Sequence, residues 1–206
     1  MQKSHLRDLK SNMRLLLTGF EPFGGININS SWETAVRVEL LAPKDVNIEI
    51  QQLPVGFKRA GIKIRALLND RIPDVLVMLG QRSTGQTIDI ERVALNLMDS
   101  AKPDNDGFCP KEQMIIPYSE PAHFSNMPVK ILRDALLQRN IPAKVSNSAG
   151  LYVCNCTYYN ALNEIYEQQL QTKAVFIHLP KISQEFSVDF LADSVKTIIE
   201  TIVDNI

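Results

Sequence analysis

Residues 144–179 of the chain read KVSNSAGLYVCNCTYYNALNEIYEQQLQTKAVFIHL. This stretch predicts a short strand at 144–146, a helix at 154–169 that Cys154 opens, and an apolar strand at 174–179. A strand, a helix and another strand in succession are typical of proteins in which helices cover a sheet. The stretch therefore favours an α/β fold.

The same alternation extends over the rest of the chain. Further strands are predicted at 14–18, 46–53, 75–79 and 93–97, and further helices at 30–41, 58–68, 129–138 and 188–203. Ser30 or Ser31 would cap the first of these helices. Such alternation predicts a sheet that is parallel in large part and covered on both faces. We therefore predict an α/β fold: a single-domain three-layer α/β/α sandwich with a twisted, largely parallel (mixed) sheet.

Composition and charge indicate how many domains the chain has and which kinds of partner it can bind. Of the 206 residues, 45% are apolar and 22% are charged, which suits one domain with a substantial core, predicted at 13–206. Residues 1–12 are expected to form a loosely held N-terminal extension. The net charge of −1 and the lack of a basic block predict no nucleic-acid partner.

No membrane partner and no export are predicted. The first twelve residues are charged rather than apolar, and no run approaches the roughly 18 apolar residues of a spanning helix. The chain has three cysteines, Cys109, Cys154 and Cys156, an odd number and too few for a disulfide framework. Reduced thiols and a cytoplasmic location are therefore expected.

Chemically distinctive residues follow four of the predicted elements. They are GFEPFGG at 19–25, GQ at 80–81, Cys154 and His178. Loops at the carboxyl ends of parallel strands meet at one edge of a sheet, so we expect these groups to lie together. A thiol becomes nucleophilic as its thiolate, which a helix N-terminus or a nearby imidazolium favours. Cys154 with His178 thus indicates a cysteine hydrolase.

Structural interpretations of the same residues remain open at this stage. A cysteine in an apolar stretch is usually a buried core residue, and that interpretation is kept for Cys156 and Cys109. His178 could be a structural histidine at a strand end. Glu91 beside Arg92 could be a surface ion pair.

A phosphate-binding loop and a zinc site both fit the sequence poorly. The run GQRSTGQT at 80–87 nearly matches a phosphate-binding loop, but Gln86 replaces the lysine and a strand pattern follows where a helix is needed. Cys154 and Cys156 with a histidine lack the usual spacing of zinc ligands. We predict no metal and no cofactor.

Several motifs, in order, resemble the pyroglutamyl peptidase I (pyrrolidone-carboxylate peptidase) family of cysteine peptidases. They are GFEPFGG (19–25), NSSWE (29–33), GQ (80–81), ERVALN (91–96), PDNDG (103–107), SAGLYVCN (148–155) and FIHLP (176–180). The resemblance implies hydrolysis of the amide bond after an N-terminal pyroglutamyl (5-oxoproline) residue of peptides, through a thiol acyl-enzyme. It also implies a homo-oligomer, commonly a tetramer.

The resemblance assigns site residues. Its catalytic positions fall on Cys154 as nucleophile, His178 as general base and acid, and Glu91 as the partner that orients the imidazole. Arg92 is a candidate for supporting the oxyanion. The expected substrate-binding residues are Phe20 and Phe23 around the lactam ring, Tyr152 and Val153 as walls, and Asn29 and Gln81 as polar groups at its rim.

The chain departs from the family pattern in two places. Residues 82–86 read RSTGQ where many members have Gly-Gly-Arg after the glutamine, and Cys156 follows the Cys-Asn pair. The proline-rich stretch at 101–121 predicts a long loop that acts as a lid or as a subunit contact. A binding protein that kept the fold and lost activity is the remaining alternative, and turnover of a pyroglutamyl amide discriminates between the two.

Overall fold

The computed structural model describes residues 13–41, 46–82 and 84–205, so the predicted extension at 1–12 lies outside the described residues. The elements in chain order are β1 (Arg14–Phe20), α1 (Ser30–Leu41), β2 (Asn47–Leu53), α2 (Phe57–Arg71), β3 (Val75–Gln81), β4 (Ile88–Glu91), β5 (Val93–Leu95), β6 (Ala122–Phe124), α3 (Val129–Gln138), β7 (Ala143–Ser146), α4 (Val153–Glu167), β8 (Lys173–Leu179) and α5 (Val188–Asn205).

Six strands form the main sheet, in the order β2-β1-β3-β8-β4-β7. Strands β2, β1, β3 and β8 are parallel, β4 pairs with β8 in the antiparallel sense, and β7 is parallel to β4. The predicted mixed, largely parallel sheet is confirmed. The reversal at β4 decides the geometry of the site, because it lets residues of β4 lie directly opposite residues near the end of β8.

The helices cover both faces of this sheet. Helices α2 and α4 pack against each other on one face, while α1 and α3 both pack against α5 on the other. Successive side chains of a strand point to opposite faces. Accordingly Leu16 and Met78 belong to the core beneath α2 and α4, whereas Leu15 and Val77 belong to the core beneath α5. The three-layer arrangement is therefore confirmed.

The chain after β4 differs from the prediction. The strand predicted at 93–97 is observed as β5, which ends at Leu95 and pairs with β6 in a separate two-stranded sheet, whereas β4 belongs to the main sheet. The short β6 has only three residues, too few for alternation to indicate a strand. No helix follows residues 80–87, because β4 begins at Ile88; the phosphate-binding alternative therefore lacks the helix it needs.

Helix starts also differ slightly. The carbonyl oxygen of Asn29 accepts hydrogen bonds from the N–H groups of Trp32 and Glu33, and its side-chain oxygen accepts one from the N–H of Ser31. Asn29, rather than Ser30 or Ser31, therefore caps α1. Helix α4 begins at Val153, one residue before the predicted position.

The long loop at 101–121 contains no helix and no extended strand, as predicted. The Asp104 carboxylate accepts hydrogen bonds from the N–H groups of Phe57 (2.8 Å) and Phe108 (2.9 Å). The Asn105 side chain donates to a Glu21 carboxylate oxygen and to the Pro22 carbonyl oxygen, both at 3.0 Å. These bonds tie the loop to the start of α2 and to the segment after β1. None of the helices in the described ranges is long and apolar enough to cross a membrane.

Candidate active site

His178 lies at the centre of the candidate site, near the end of β8. Its Nδ1 is 2.7 Å from a Glu91 carboxylate oxygen. His178 and Cys154 line the same cavity, and the Cys154 thiol is near enough to the ring to raise the pKa of the imidazole. His178 is 5% exposed and Glu91 is completely buried. The structure thus brings together the three residues that the sequence singles out for catalysis.

The antiparallel pairing of β4 with β8 explains how Glu91 reaches the imidazole. Asp89 lies opposite His178 and Glu91 lies opposite Phe176. Residues that face each other across a ladder share a face of the sheet, and so do residues two apart in a strand. Glu91 and His178 are therefore diagonal neighbours on the face that α4 covers.

Gly80 leaves the space that the imidazole needs. It lies opposite His178 on the neighbouring strand β3. A β-carbon at this position would lie 2.7 Å from the Phe176 ring and 3.0 Å from Cδ2 of His178. Any larger residue would push the imidazole or the phenyl ring away from its present position.

The surroundings of His178 favour its charged form. Burial alone would lower the pKa of the imidazole, but the hydrogen bonds with Cys154 and Glu91, and the charges of these groups, raise it to about 9. An imidazolium next to a thiol stabilises the thiolate, which is the nucleophilic form. The arrangement therefore places a positively charged imidazole beside the candidate nucleophile.

Cys154 is the second residue of α4 and is half-buried. The first N–H groups of a helix have no acceptor within it; here the N–H of Cys156 is bonded to the carbonyl of Tyr152. N–H groups that precede this bond lie beside the thiol, where they can stabilise negative charge on a thiolate or an oxyanion.

Asn155 fixes the position of this helix start. Its side chain accepts a hydrogen bond from the N–H of Leu95 at 2.9 Å and donates to the carbonyl oxygens of Leu95 and Leu97 at 2.9 and 3.0 Å. Asn155 is completely buried. The nucleophile is thereby held against the segment that follows Glu91.

A cavity of about 730 Å³ opens beside Cys154 and His178. All six residues predicted to bind substrate line it: Phe20, Phe23, Asn29, Gln81, Tyr152 and Val153. Tyr152 packs edge-on against Phe57, and its hydroxyl donates to the Pro103 carbonyl oxygen at 3.0 Å. The aromatic wall is therefore attached to the loop at 101–121.

Gln81 and Asn29, the two polar residues predicted to bind substrate, differ in whether a hydrogen-bonding group remains free. The Gln81 side-chain oxygen accepts a hydrogen bond from the N–H of Ser30 at 2.8 Å, while its buried Nε2 has no hydrogen-bond partner within the described ranges. The side chain of Asn29, in contrast, donates to the Glu21 carbonyl oxygen and accepts from Ser31. Gln81 thus offers a free donor, whereas Asn29 is engaged as a helix cap.

Arg92 does not line the cavity. It lies where the chain passes from β4 to β5, and its main chain is bonded to Ser146 and Ser125. This position gives no support to the predicted role of Arg92 at an oxyanion. The arginine that contacts Glu91 is Arg82, in the loop after β3 that departs from the family pattern, with Nη2 at 3.3 Å from the carboxylate.

The cavity lining also includes charged residues that the sequence analysis did not predict to be part of the site. Asp99, Lys102 and Lys181 are part of its lining. They come from the start of the long loop and from the segment after β8, and nothing in their local sequence marks them. No group of three or more His, Cys, Asp or Glu side chains in the ranges 13–41, 46–82 and 84–205 is arranged to hold a metal ion.

A sequence model of the pyroglutamyl peptidase family matches residues 13–206. The chain belongs to this family. The family consists of cysteine peptidases that remove an N-terminal pyroglutamyl residue from peptides, and membership establishes this function for the chain. The predicted enzyme class, a hydrolase, is confirmed.

Individual relatives agree with the assignment. The pyrrolidone-carboxylate peptidase of Thermococcus onnurineus is 41% identical over 175 residues, which cover 84% of this chain and 86% of that protein. The pyrrolidone-carboxylate peptidase of Thermococcus kodakarensis is 42% identical over 177 residues, covering 86% and 85%.

Solved structures confirm the fold. A mutant pyrrolidone carboxyl peptidase from Pyrococcus furiosus superposes with a TM-score of 0.89 at 32% identity, covering 94% of this chain and all of that one. The pyroglutamyl peptidase I of Bacillus amyloliquefaciens gives 0.87 at 31% identity, covering 93% and 95%.

Proposed function

We propose that Cys154, His178 and Glu91 are the catalytic residues with which the protein hydrolyses the amide bond after an N-terminal pyroglutamyl residue. The observation that carries this proposal is the position of the His178 imidazole, which is hydrogen-bonded to a completely buried carboxylate and lines the same cavity as the Cys154 thiol. A nucleophile, a base and a group that orients the base are the parts that acyl transfer requires.

The reaction follows from these positions. The Cys154 thiolate attacks the pyroglutamyl carbonyl carbon, and N–H groups at the start of α4 stabilise the oxyanion. As the tetrahedral intermediate collapses, the His178 imidazolium gives its proton to the departing amine, leaving a thioester. A water molecule then attacks the thioester and transfers one proton to His178; the C–S bond breaks, which releases the thiolate and pyroglutamic acid, and the acid loses its remaining proton to solvent. Glu91 holds the imidazole and stabilises its charge throughout.

The cavity suits a flat, neutral lactam. Phe20 and Phe23 would enclose the ring, and Tyr152 and Val153 would form the adjoining wall, since all four line the space beside the thiol. The free Nε2 of Gln81 would donate to the lactam carbonyl oxygen. A buried donor without a partner discriminates strongly, because a ligand that lacks the acceptor leaves it unsatisfied. Asn29 would act indirectly, by holding the start of α1.

Turnover of a chromogenic pyroglutamyl amide tests the proposal. Cys154→Ala should lower kcat by at least about 1,000-fold, because no other group can form the acyl intermediate. Cys156→Ala is the matched control: its thiol is 2% exposed, burial raises its pKa to about 12, and kcat should stay within about threefold. Prolyl and glutaminyl amides should be poor substrates of the unmodified protein. Undiminished turnover by Cys154→Ala would contradict the assignment.

We also propose that the enzyme acts in the cytoplasm, on peptides with an N-terminal pyroglutamate. Cys109, Cys154 and Cys156 are all free thiols, which suits a reducing compartment. Cys109 is exposed and Cys154 is half-buried, so both thiols would be vulnerable to oxidation in an oxidising compartment. Fractionation of the source cells, with the pyroglutamyl amide as the assay, checks this location.

A homotetramer is the proposed assembly, by resemblance to the family. An exposed aromatic patch supports association between copies. We define the aromatic patch as His123 and Tyr166, whose rings are neighbours, and Tyr118 and Phe124 are further exposed aromatic residues. Tyr118 is fully exposed, Phe124 and Tyr166 are 69% and 63% exposed, and the rings of His123 and Tyr166 are 5.5 Å apart. Exposed aromatic groups of this kind mark protein interfaces.

A further inference from the structure

Two carboxylates lie buried together behind His178. Asp89 and Glu91 are both completely buried and are two residues apart in β4, so they share a face of the sheet. Asp89 lies opposite His178 itself. Like charges at this separation in the interior raise the pKa of one or both groups unless cations compensate them.

Arg82 is the cation that joins the two carboxylates. Its Nη1 is 3.1 Å from an Asp89 oxygen and its Nη2 is 3.3 Å from a Glu91 oxygen. The same Nη2 is 3.4 Å from the Ser148 carbonyl oxygen. A planar guanidinium can engage two acceptors at fixed positions, which an ammonium group cannot do in the same way.

The other groups that face this pair come from several elements. Asp89 also accepts a hydrogen bond from the Thr87 hydroxyl at 2.6 Å and lies 3.6 Å from the Lys144 ammonium of β7. Glu91 faces His178 of β8, and the Tyr158 hydroxyl of α4 donates to the Glu91 main-chain oxygen. Its carboxylate oxygen Oε1 contacts both His178 and Arg82, while Oε2 has no hydrogen-bond partner in the described part of the chain.

We propose that Arg82 is a positioning residue that holds the Glu91 carboxylate charged and oriented toward His178, with buried Asp89 as its anchor. This inference rests on the proposed catalytic role of Glu91 and His178. Arg82 does not line the cavity, so it acts through Glu91 rather than on the substrate. The departure of this loop from the family pattern places an arginine of this chain where it can perform that role.

The sign of the effect follows from the charges. Without Arg82, the cationic groups that the described residues place beside Asp89 and Glu91 are Lys144 and His178. The repulsion between the two carboxylates would then be less compensated, which favours the neutral form of Glu91. Glu91 would then become protonated at a higher pH. A neutral Glu91 stabilises the imidazolium less, so Cys154 would ionise only at a higher pH. Both effects shift the acidic limb of the kcat/KM profile to higher pH.

The test uses full-length protein carrying Cys109→Ser, so that Cys154 is the accessible thiol; Cys156 is buried. Arg82→Met should lower kcat about tenfold or more and leave KM within about twofold. The acidic limb of kcat/KM, and the pH midpoint for alkylation of Cys154 by iodoacetamide, should each move up by about one pH unit. Arg82→Lys, which keeps the charge and loses the two-pronged contact, should give a smaller shift in the same direction.

Lys144→Met is the matched control, because it removes the other cation beside Asp89 without touching Glu91; it should leave the acidic limb in place. A folded Arg82→Met with unmoved pH profiles would overturn the proposal, even if kcat fell. If Arg82→Met does not fold, unchanged pH profiles of kcat/KM and alkylation in Arg82→Lys would overturn the proposal. Lack of turnover by the unmodified protein would instead refute the proposed function, while the alkylation profile would still report on Arg82.

Discussion

At the scale of single residues, the behaviour of His178 depends on opposing influences. Burial lowers the pKa of the imidazole, and contacts with Cys154 and Glu91 more than offset it, raising the pKa to about 9. The carboxylate of Glu91 is therefore more than a means of orienting the ring. It determines the pH range over which the imidazolium can protonate the departing amine.

Glu91→Gln should lower the upper pH limit of activity. In the unmodified protein kcat/KM should fall as pH rises through about 9, where His178 loses its proton. Because the Glu91 charge raises the pKa of His178, the neutral variant should show that alkaline limb at lower pH, by about one unit. kcat/KM at its maximum should also fall about tenfold or more.

A pH series of kcat/KM with the chromogenic amide measures both effects. Glu39→Gln, at an exposed position of α1, changes the net charge equally and serves as control. An alkaline limb that stays in place in Glu91→Gln would mean that Glu91 does not set the pKa of His178.

At the scale of elements, the site depends on how β4, β5 and α4 meet. The antiparallel pairing of β4 with β8 places Glu91 diagonally from His178. The chain then leaves the main sheet as β5, and Asn155 binds the start of α4 to that segment through three hydrogen bonds. Glu91 and the β5 segment therefore belong to one continuous stretch of chain. The buried Asn155 side chain attaches the nucleophile to that stretch.

Asn155→Ala should lower the free energy of unfolding by about 2–4 kcal/mol, because main-chain groups of Leu95 and Leu97 lose buried partners. Chemical denaturation followed by circular dichroism measures this change. Asn69→Ala removes an exposed amide hydrogen-bonded to Glu164 and should cost no more than about 0.5 kcal/mol. Equal costs for the two variants would show that Asn155 does not hold the helix start.

At the scale of the whole molecule, the cavity forms where segments distant in sequence meet. The loop after β1, the start of α4, the end of β8 and the loop at 101–121 all contribute to its lining. The hydrogen bonds of Asp104 and Asn105 fix the long loop as a wall. The same loop carries the fully exposed Tyr118.

The aromatic patch should be covered in the assembled protein. Light scattering coupled to size-exclusion chromatography should give about four times the 23.2 kDa of one chain. Phe124→Ser together with Tyr166→Ser should reduce that mass, because exposed aromatic groups dominate interface energies. Leu137→Ser, an exposed apolar residue of α3 on the other face of the sheet, should leave the mass unchanged. A monomeric unmodified protein would contradict the proposed tetramer.

The sequence by itself determined the layered fold, because apolar runs and helical spacing are local properties of the chain. It also determined which thiol and imidazole are chemically distinctive, and the order of the family motifs led from them to Glu91. The walls around the lactam position, Phe20, Phe23, Tyr152 and Val153, were expected on the same basis, and all of them line the cavity.

Only the tertiary structure decided the charge relations around Glu91. The reversal of β4 brings Asp89 and Glu91 beside His178, and Arg82 then contacts both carboxylates; the positions of His178 and Arg82 relative to this pair have no local signal. For the same reason Arg92, adjacent to Glu91 in sequence, lies away from the cavity. Asn29 turned out to cap α1, while Gln81 keeps a free donor. Hydrogen bonds and ion pairs between distant segments depend on strand direction and register, which periodicity along the chain does not encode.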